Sequence, residues 1–224
     1  PYSNDMGRQL TQMPFPPLPL MRDEEVIQEQ PDQTSLTERY LEEAVRFIRA
    51  NRAGPFFLYF AHMYVHLPLY VPARFLAESR NGRYGAAVAC IDWVAAALLR
   101  ELARLGIDGR TMVIFTSDNG SRVRGEGGSC GPLRGTKGTT WEGGQRVPAI
   151  VRWPGRVPAG RTCSELVTGM DLYPTLARLG GARSHRQPAS TCQDSLAVLE
   201  LPISQADAVH PAFVGVDPGA GRAR

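Results

Sequence analysis

Two helical rhythms and three short apolar runs dominate the pattern of apolar and polar positions. Tyr40, Ala44, Phe47 and Ile48 recur at steps that place them on one helix face. Ser35 and Glu38 ahead of them fit a capping box that opens this helix, and Gly54-Pro55 ends it. A longer stripe of Tyr84, Val88, Ile91, Ala95, Leu98, Leu102 and Leu105 alternates steps of four and three. It predicts a second helix, with Gly106 placed to cap its C-terminus. Phe56-Phe57-Leu58-Tyr59-Phe60 is wholly apolar and reads as a buried strand of the parallel type. Residues 111–116 and 149–153 read as two more strands, the last ended by Pro154-Gly155. Asp171 is placed to cap a final short helix through Leu179, with Pro174 in its first turn. The order helix, strand, helix, strand, loop, strand, helix predicts an α/β fold with a parallel or mixed sheet flanked by helices. Residues 1–34 read as irregular, and Pro14-Phe15-Pro16-Pro17-Leu18-Pro19-Leu20 as an extended surface strap. Beyond position 181 the periodicity is poor, so residues 182–224 read as a loosely ordered tail.

Composition narrows the function classes. The chain has 224 residues, 43% of them hydrophobic and 21% charged, which excludes a fully disordered protein. A net charge of +3 is too weak a bias for nucleic acid as the main partner, though it suits a small anionic substrate. The run from Phe56 to Val71 carries His62 and His66 and falls short of a membrane span. The start, Pro1-Tyr2-Ser3-Asn4-Asp5, is polar and the chain does not begin with Met, so a fragment or processed product is expected, and the missing leader carries no information on compartment. The four cysteines, Cys90, Cys130, Cys163 and Cys192, form no CxxC pair and leave room for one or two bridges.

Three places carry candidate chemistry. Asp118-Asn119 follows a strand directly, where ligands gather in open α/β sheets. A carboxylate and an amide oxygen are hard ligands suited to Ca²⁺ or Mg²⁺, while Asp-Asn-Gly is also good turn chemistry. Asn119-Gly120-Ser121 matches an N-glycosylation acceptor as well, a use that competes with metal binding. His66 follows the apolar run and can donate to an anionic oxygen or protonate a leaving group; His62 reads equally as a packed histidine. Lys137 lies within Gly135-Thr136-Lys137-Gly138-Thr139-Thr140, a plausible oxyanion cradle that does not match the Walker loop. Nine glycines between positions 120 and 144 imply a backbone that bends tightly or approaches something closely.

The run from Leu133 through Lys137 and Trp141-Glu142-Gly143-Gly144 to Ala149 appears in order after Phe57-Leu58-Tyr59, His66-Leu67-Pro68 and Phe115-Thr116-Ser117-Asp118-Asn119-Gly120. Together they resemble the type I sulfatases, of the arylsulfatase A, arylsulfatase G and N-acetylgalactosamine-6-sulfatase kind. The resemblance covers residues 1–181 and implies an incomplete alkaline-phosphatase-like catalytic domain. It implies a sulfuric ester hydrolase whose formylglycine, made from a cysteine, attacks sulfur. Asp118 and Asn119 fall where the family places metal ligands, usually for Ca²⁺, with Mg²⁺ an alternative. Lys137 matches its sulfate-binding lysine and His66 the histidine near the ester oxygen, both in catalytic and substrate-binding roles. The family's Cys-x-Pro-Ser-Arg nucleophile motif and its aspartate pair are not seen. Cys130-Gly131-Pro132-Leu133-Arg134 imitates that motif, but the glycines after it open no helix. The chain alone is therefore expected to be inactive. The implied partner is a small sulfated sugar, lipid or aryl ester, and the implied compartment is lysosomal or secreted. Two readings stand beside this one: another phosphatase or phosphodiesterase of the alkaline-phosphatase-like superfamily, and a truncated, non-catalytic binder of sulfated glycans.

Overall fold

The computed structural model describes residues 16–123, 125 and 127–181. The chain forms two compact units, Pro1–Pro154 and Gly155–Arg224. The expected tail, 182–224, lies outside the described residues, as do the first two residues of the proline-rich strap; its last two, Pro19 and Leu20, belong to a strand.

The first unit opens with a hairpin where irregular chain was expected. Strands β1 (Pro19–Arg22) and β2 (Glu25–Glu29) pair antiparallel around a turn at Asp23, with a register shift between Leu20 and Met21. Pro19 is tolerated because it is the first residue of its strand. Helix α1 (Leu36–Asn51) follows and buries Leu36, Leu41, Ala44 and Ile48. The capping box expected at Ser35 does not form: Ser35 is already helical in φ and ψ and its hydroxyl donates to the carbonyl of Asp32 at 2.8 Å. The Asp32 carboxylate instead accepts from the N–H and hydroxyl of Thr34, an Asx-turn that leads the chain into the helix.

Helix α2 (Ala73–Glu78) is short, and α3 (Gly82–Arg104) is the long predicted helix. Its buried stripe runs through Ala86, Ala87, Cys90, Val94 and Leu102, leaving Val88 exposed, so the contact face is rotated from the expected one. Beyond Leu105, Gly106 N–H donates to Ala103 and Ile107 N–H to Leu102, the paired bonds of a Schellman stop. The apolar contact that accompanies such a stop is present, because Ile107 and Leu102 share one core cluster with Ile48 of α1. At that end of α3, both carboxylate oxygens of Glu101 accept from the forked guanidinium groups of Arg49 and Arg104 at 2.7–3.3 Å. This fork ties α1 to α3 and holds the Glu101 carboxyl down at about 2.

Strands β3 (Val113–Thr116) and β4 (Ala149–Arg152) pair antiparallel in register from Val113↔Arg152 to Thr116↔Ala149. Arg152 also grips Asp108, in the single 3₁₀ turn after α3, through two bonds of 2.5 and 2.8 Å. The expected buried strand at residues 56–60 is extended but makes no ladder. Phe56, Leu58 and Phe60 are half-buried, whereas Phe57 is 69% and Tyr59 80% exposed. Alternation of this kind belongs to chain covered on one side only. In the second unit, α4 (Gly169–Leu179) starts earlier than expected: Thr168 is the N-cap, and Asp171 sits at the third helical position. From there its carboxylate accepts from the N–H and hydroxyl of Thr168. Pro174 consequently lies in the second turn rather than the first.

Candidate functional site

The site residues lie on two arms of the first unit. One arm is the loop after residues 56–60. Tyr64, 8% exposed, packs with Leu69 and Val71 against Ala86, Ala87 and Cys90 of α3. Its hydroxyl donates to the carbonyl of Tyr70, closing the loop that displays His66. His66 is exposed, and its Nδ1 meets the Leu67 carbonyl oxygen at 2.6 Å. A carbonyl oxygen only accepts, so Nδ1 carries a proton and Nε2 is the nitrogen left to gain or release one.

His62 is differently placed. Its Nδ1 accepts the Tyr64 N–H at 3.0 Å, and its ring packs 5.8 Å from Phe60 and 5.1 Å from Tyr64. Its Nε2 is buried with no partner among the described residues. Burial pushes its pKa down to about 4, so it is neutral at pH 7 and unfit as a proton donor there.

The second arm is the exit of β3 together with the glycine-rich loop. Thr116 Oγ1 donates to the Pro148 carbonyl and Ser117 Oγ to that of Asn119. Gly120 N–H then donates to Gly144 O at 3.0 Å, and Lys137 N–H to Ser121 O at 2.9 Å. These two bonds fasten the Asp118–Asn119 corner to the lysine loop. Glycine is required at the junction: a Cβ on Gly120 would overlap the Gly143 carbonyl oxygen, and one on Gly143 would overlap that of Gly135. The close backbone approach implied by the glycine count is found here.

Lys137 itself occupies the second position of a tight turn, closed by Thr139 N–H to Thr136 O at 3.0 Å, with Gly138 at φ 86 in the third. That positive φ is what a type II turn demands. Lys137 is half-buried, Asn119 half-buried and Asp118 exposed. The side chains of Asp118 and Asn119 have no protein partner among the described residues, and no group of three or more metal-ligating side chains occurs there. Two adjacent hard oxygens fit a divalent cation chemically but supply only part of the six to eight that Ca²⁺ takes. The acceptor sequence at Asn119 is pinned by the Gly120–Gly144 bond, which leaves its backbone committed to the junction.

A cavity of about 590 Å³ lies beside both arms, and His66, Asp118, Asn119 and Lys137 are not among the residues that line it. Leu67 and Pro68, next to His66, line it from one side, and Gly125 and Gly127, from the loop that leaves Ser121, from the other.

Several contacts were invisible in the sequence pattern. Arg134 stacks its guanidinium 3.6 Å from the Trp141 ring centroid, bracing the lysine turn between them. Cys130 has a structural place, donating to Gly143 O at 3.2 Å and Ser121 O at 3.5 Å. It opens a turn through Leu133 N–H and no helix, as its glycine context foretold. Cys90, Cys130 and Cys163 are unbridged. No spacing rule pairs Arg134 with Trp141 or Cys130 with Gly143.

Comparison with known proteins bears on this arrangement. A family model described as Sulfatase matches residues 2–182. Steryl-sulfatase of Mus musculus is 44% identical over 170 residues, which is 73% of this chain and 27% of that protein. N-acetylgalactosamine-6-sulfatase of Canis lupus familiaris is 46% identical over 154 residues, 66% of this chain and 30% of that protein. Among solved structures, the PsFucS1 sulfatase from Pseudoalteromonas sp. superposes with a TM-score of 0.69 at 31% identity, covering 75% of this chain and 35% of that one. The chain thus spans about a third or less of each.

Proposed function

The chain belongs to the sulfatase family, and on that premise we propose that it is part of a sulfuric ester hydrolase, supplying the charge-neutralising half of the site. Its α/β fold is of the alkaline-phosphatase-like type, present in part. Residues 1–181 are read as the partial catalytic domain and 182–224 as a separate tail. One observation carries the reading: the paired bonds Gly120 N–H to Gly144 O and Lys137 N–H to Ser121 O, which join the oxygen-donor corner to the cationic turn.

Cleavage of a sulfate monoester builds charge on the non-bridging oxygens and on the departing oxygen. The Lys137 ammonium meets the first need by pairing with a non-bridging oxygen. His66 meets the second: with Nδ1–H held on the Leu67 carbonyl, Nε2 can carry a proton to the ester oxygen as the S–O bond breaks. Asp118 and Asn119 would hold a divalent cation, Ca²⁺ before Mg²⁺, which when bound neutralises sulfate oxygens. The nucleophile of this reading is the family's formylglycine, assigned to sequence outside these residues, because Cys130 begins a turn and is committed to Gly143. The 224 residues alone should accordingly be inactive. The substrate is a sulfated sugar, lipid or aryl ester, and the compartment lysosomal or secreted. A phosphatase reading is not favoured, since the matched relatives are named sulfatases.

The test is turnover of p-nitrophenyl sulfate by the full-length protein. Lys137→Ala should lower kcat/KM by about 10²–10³, the loss typical of removing one preorganised charge donor. A variant that keeps the full rate removes Lys137 from the mechanism.

A further inference from the structure

The lysine turn is held by more than its own backbone, because its fourth residue, Thr139, grips its first. Thr139 Oγ1 donates to the Thr136 carbonyl at 2.8 Å and accepts the Thr136 N–H at 3.2 Å. One hydroxyl thus satisfies both backbone polar groups of the residue that precedes Lys137. The two peptide planes that meet at Thr136 are fixed together, and with them the direction in which Lys137 leaves the backbone. The plane joining Thr136 to Lys137 is held from outside as well, since Lys137 N–H donates to Ser121 O at 2.9 Å.

The hydroxyl has room only because glycines flank it. A Cβ on Gly135 would crowd Thr139 Oγ1, and one on Gly144 would overlap the Thr139 carbonyl oxygen. Gly144 is the residue whose carbonyl accepts the Gly120 N–H, so Thr139 abuts the junction that carries the Asp118–Asn119 corner. The Thr139 carbonyl is in turn held by Gln145 Nε2 at 3.1 Å, from the short helical turn Glu142–Gln145.

We propose that Thr139 is a positioning residue of the ester-cleaving reaction: its hydroxyl sets the direction of the Lys137 ammonium without touching the substrate. The inference rests on the sulfatase reading and goes beyond it to what makes the lysine effective. An ammonium on a four-carbon stem is a flexible point charge, so its action depends on a fixed point of departure. A preorganised charge loses its advantage when the backbone beneath it can reorient. Valine in place of Thr139 keeps the shape but leaves the Thr136 N–H without its acceptor, whereas serine keeps the hydroxyl.

The test is a double-mutant cycle read by p-nitrophenyl sulfate turnover of the full-length protein. Thr139→Val should lower kcat/KM by about tenfold, the scale of one hydrogen bond lost beneath the lysine. Thr139→Ser should restore most of the rate. In the Lys137→Ala background the Thr139→Val change should cost less than about twofold, because no ammonium remains to be directed. A threonine that only stabilises the loop lowers the rate equally in both backgrounds. Should Thr139→Val not fold, Gln145→Met runs a milder form of the same cycle from an exposed position, removing the amide that steadies the Thr139 carbonyl. It should lower kcat/KM about threefold in the parent and leave Lys137→Ala unchanged. Equal losses in the two backgrounds, or full activity of the variant, overturn the positioning role, and a large loss in Lys137→Ala then upholds the sulfatase reading on its own. Absence of turnover by the unsubstituted protein overturns both.

Discussion

Replacing Gly120 by alanine tests the site geometry most directly. The added methyl group would overlap the Gly143 carbonyl oxygen and press on the Gly144 Cα at 3.0 Å. Both neighbours are backbone, so no side chain can swing away. Relief requires the β3 exit to separate from the glycine pair, sacrificing the Gly120–Gly144 bond of 3.0 Å and the Cys130–Gly143 contact of 3.2 Å. Two such bonds contribute about 0.5–1.5 kcal/mol each, and forced overpacking adds about 1–3 kcal/mol. The expected destabilisation is therefore about 2–6 kcal/mol. Because Ser121 holds the Lys137 N–H, the same separation displaces the lysine turn, and kcat/KM should fall along with stability. The control is Gly54→Ala, where a Cβ meets nothing within 4 Å and φ is not positive. There the change should stay within about 1 kcal/mol, set by the unfolded chain. Urea unfolding of the full-length protein, read as a midpoint shift at constant slope, gives both values. If Gly120→Ala and Gly54→Ala differ by less than about 0.5 kcal/mol, the junction between the two loops is not as described.

Other expectations follow from the same geometry. Glu101 is held by two guanidinium forks at about 2, below its ordinary 4.5, so its contribution to stability is complete above 4.5 and disappears as pH falls towards 2. Glu101→Gln should be less stable than the parent at pH 7, with the gap closing in acid; a gap independent of pH would remove the ion pairs from the account. His62 is a base whose folded value, about 4, lies below 6.5. The unfolded state then binds more protons between these limits, and stability falls as pH drops from 6.5 towards 4. His62→Phe should flatten that slope in unfolding curves at pH 7 and pH 5, and an unchanged slope would refute the assignment. Calcium titrated into the 224-residue chain should bind only at about millimolar concentration or weaker, since two adjacent oxygens fill a minor part of its coordination. Micromolar binding by calorimetry would mean the corner is already a complete site.

What could be read from residue order alone was whatever depends on near neighbours. The existence of α3 and its Gly106 stop are local, because side chains three and four apart share a face and an αL glycine ends a helix wherever it stands, whereas which face packs was decided by the partners, which bury Ala86, Cys90 and Val94 and leave Val88 exposed. The Gly-Thr-Lys-Gly turn is local too, and the glycine density announced a close backbone approach without naming its partner. Family kinship was legible because several short motifs occur in one order, which spacing records without any structure. Contacts between distant segments were not legible. Residues 56–60 have the composition of a buried strand, yet Phe57 and Tyr59 are exposed, because burial depends on what lies opposite and not on the segment. Ser35 and Glu38 have the right spacing for a cap, but the Asp32 carboxylate captures the turn first. The partner of Gly120 and the stacking of Arg134 on Trp141 are consequences of packing alone. Each joins atoms whose separation along the chain bears no fixed relation to their separation in space, so only the folded chain could decide them.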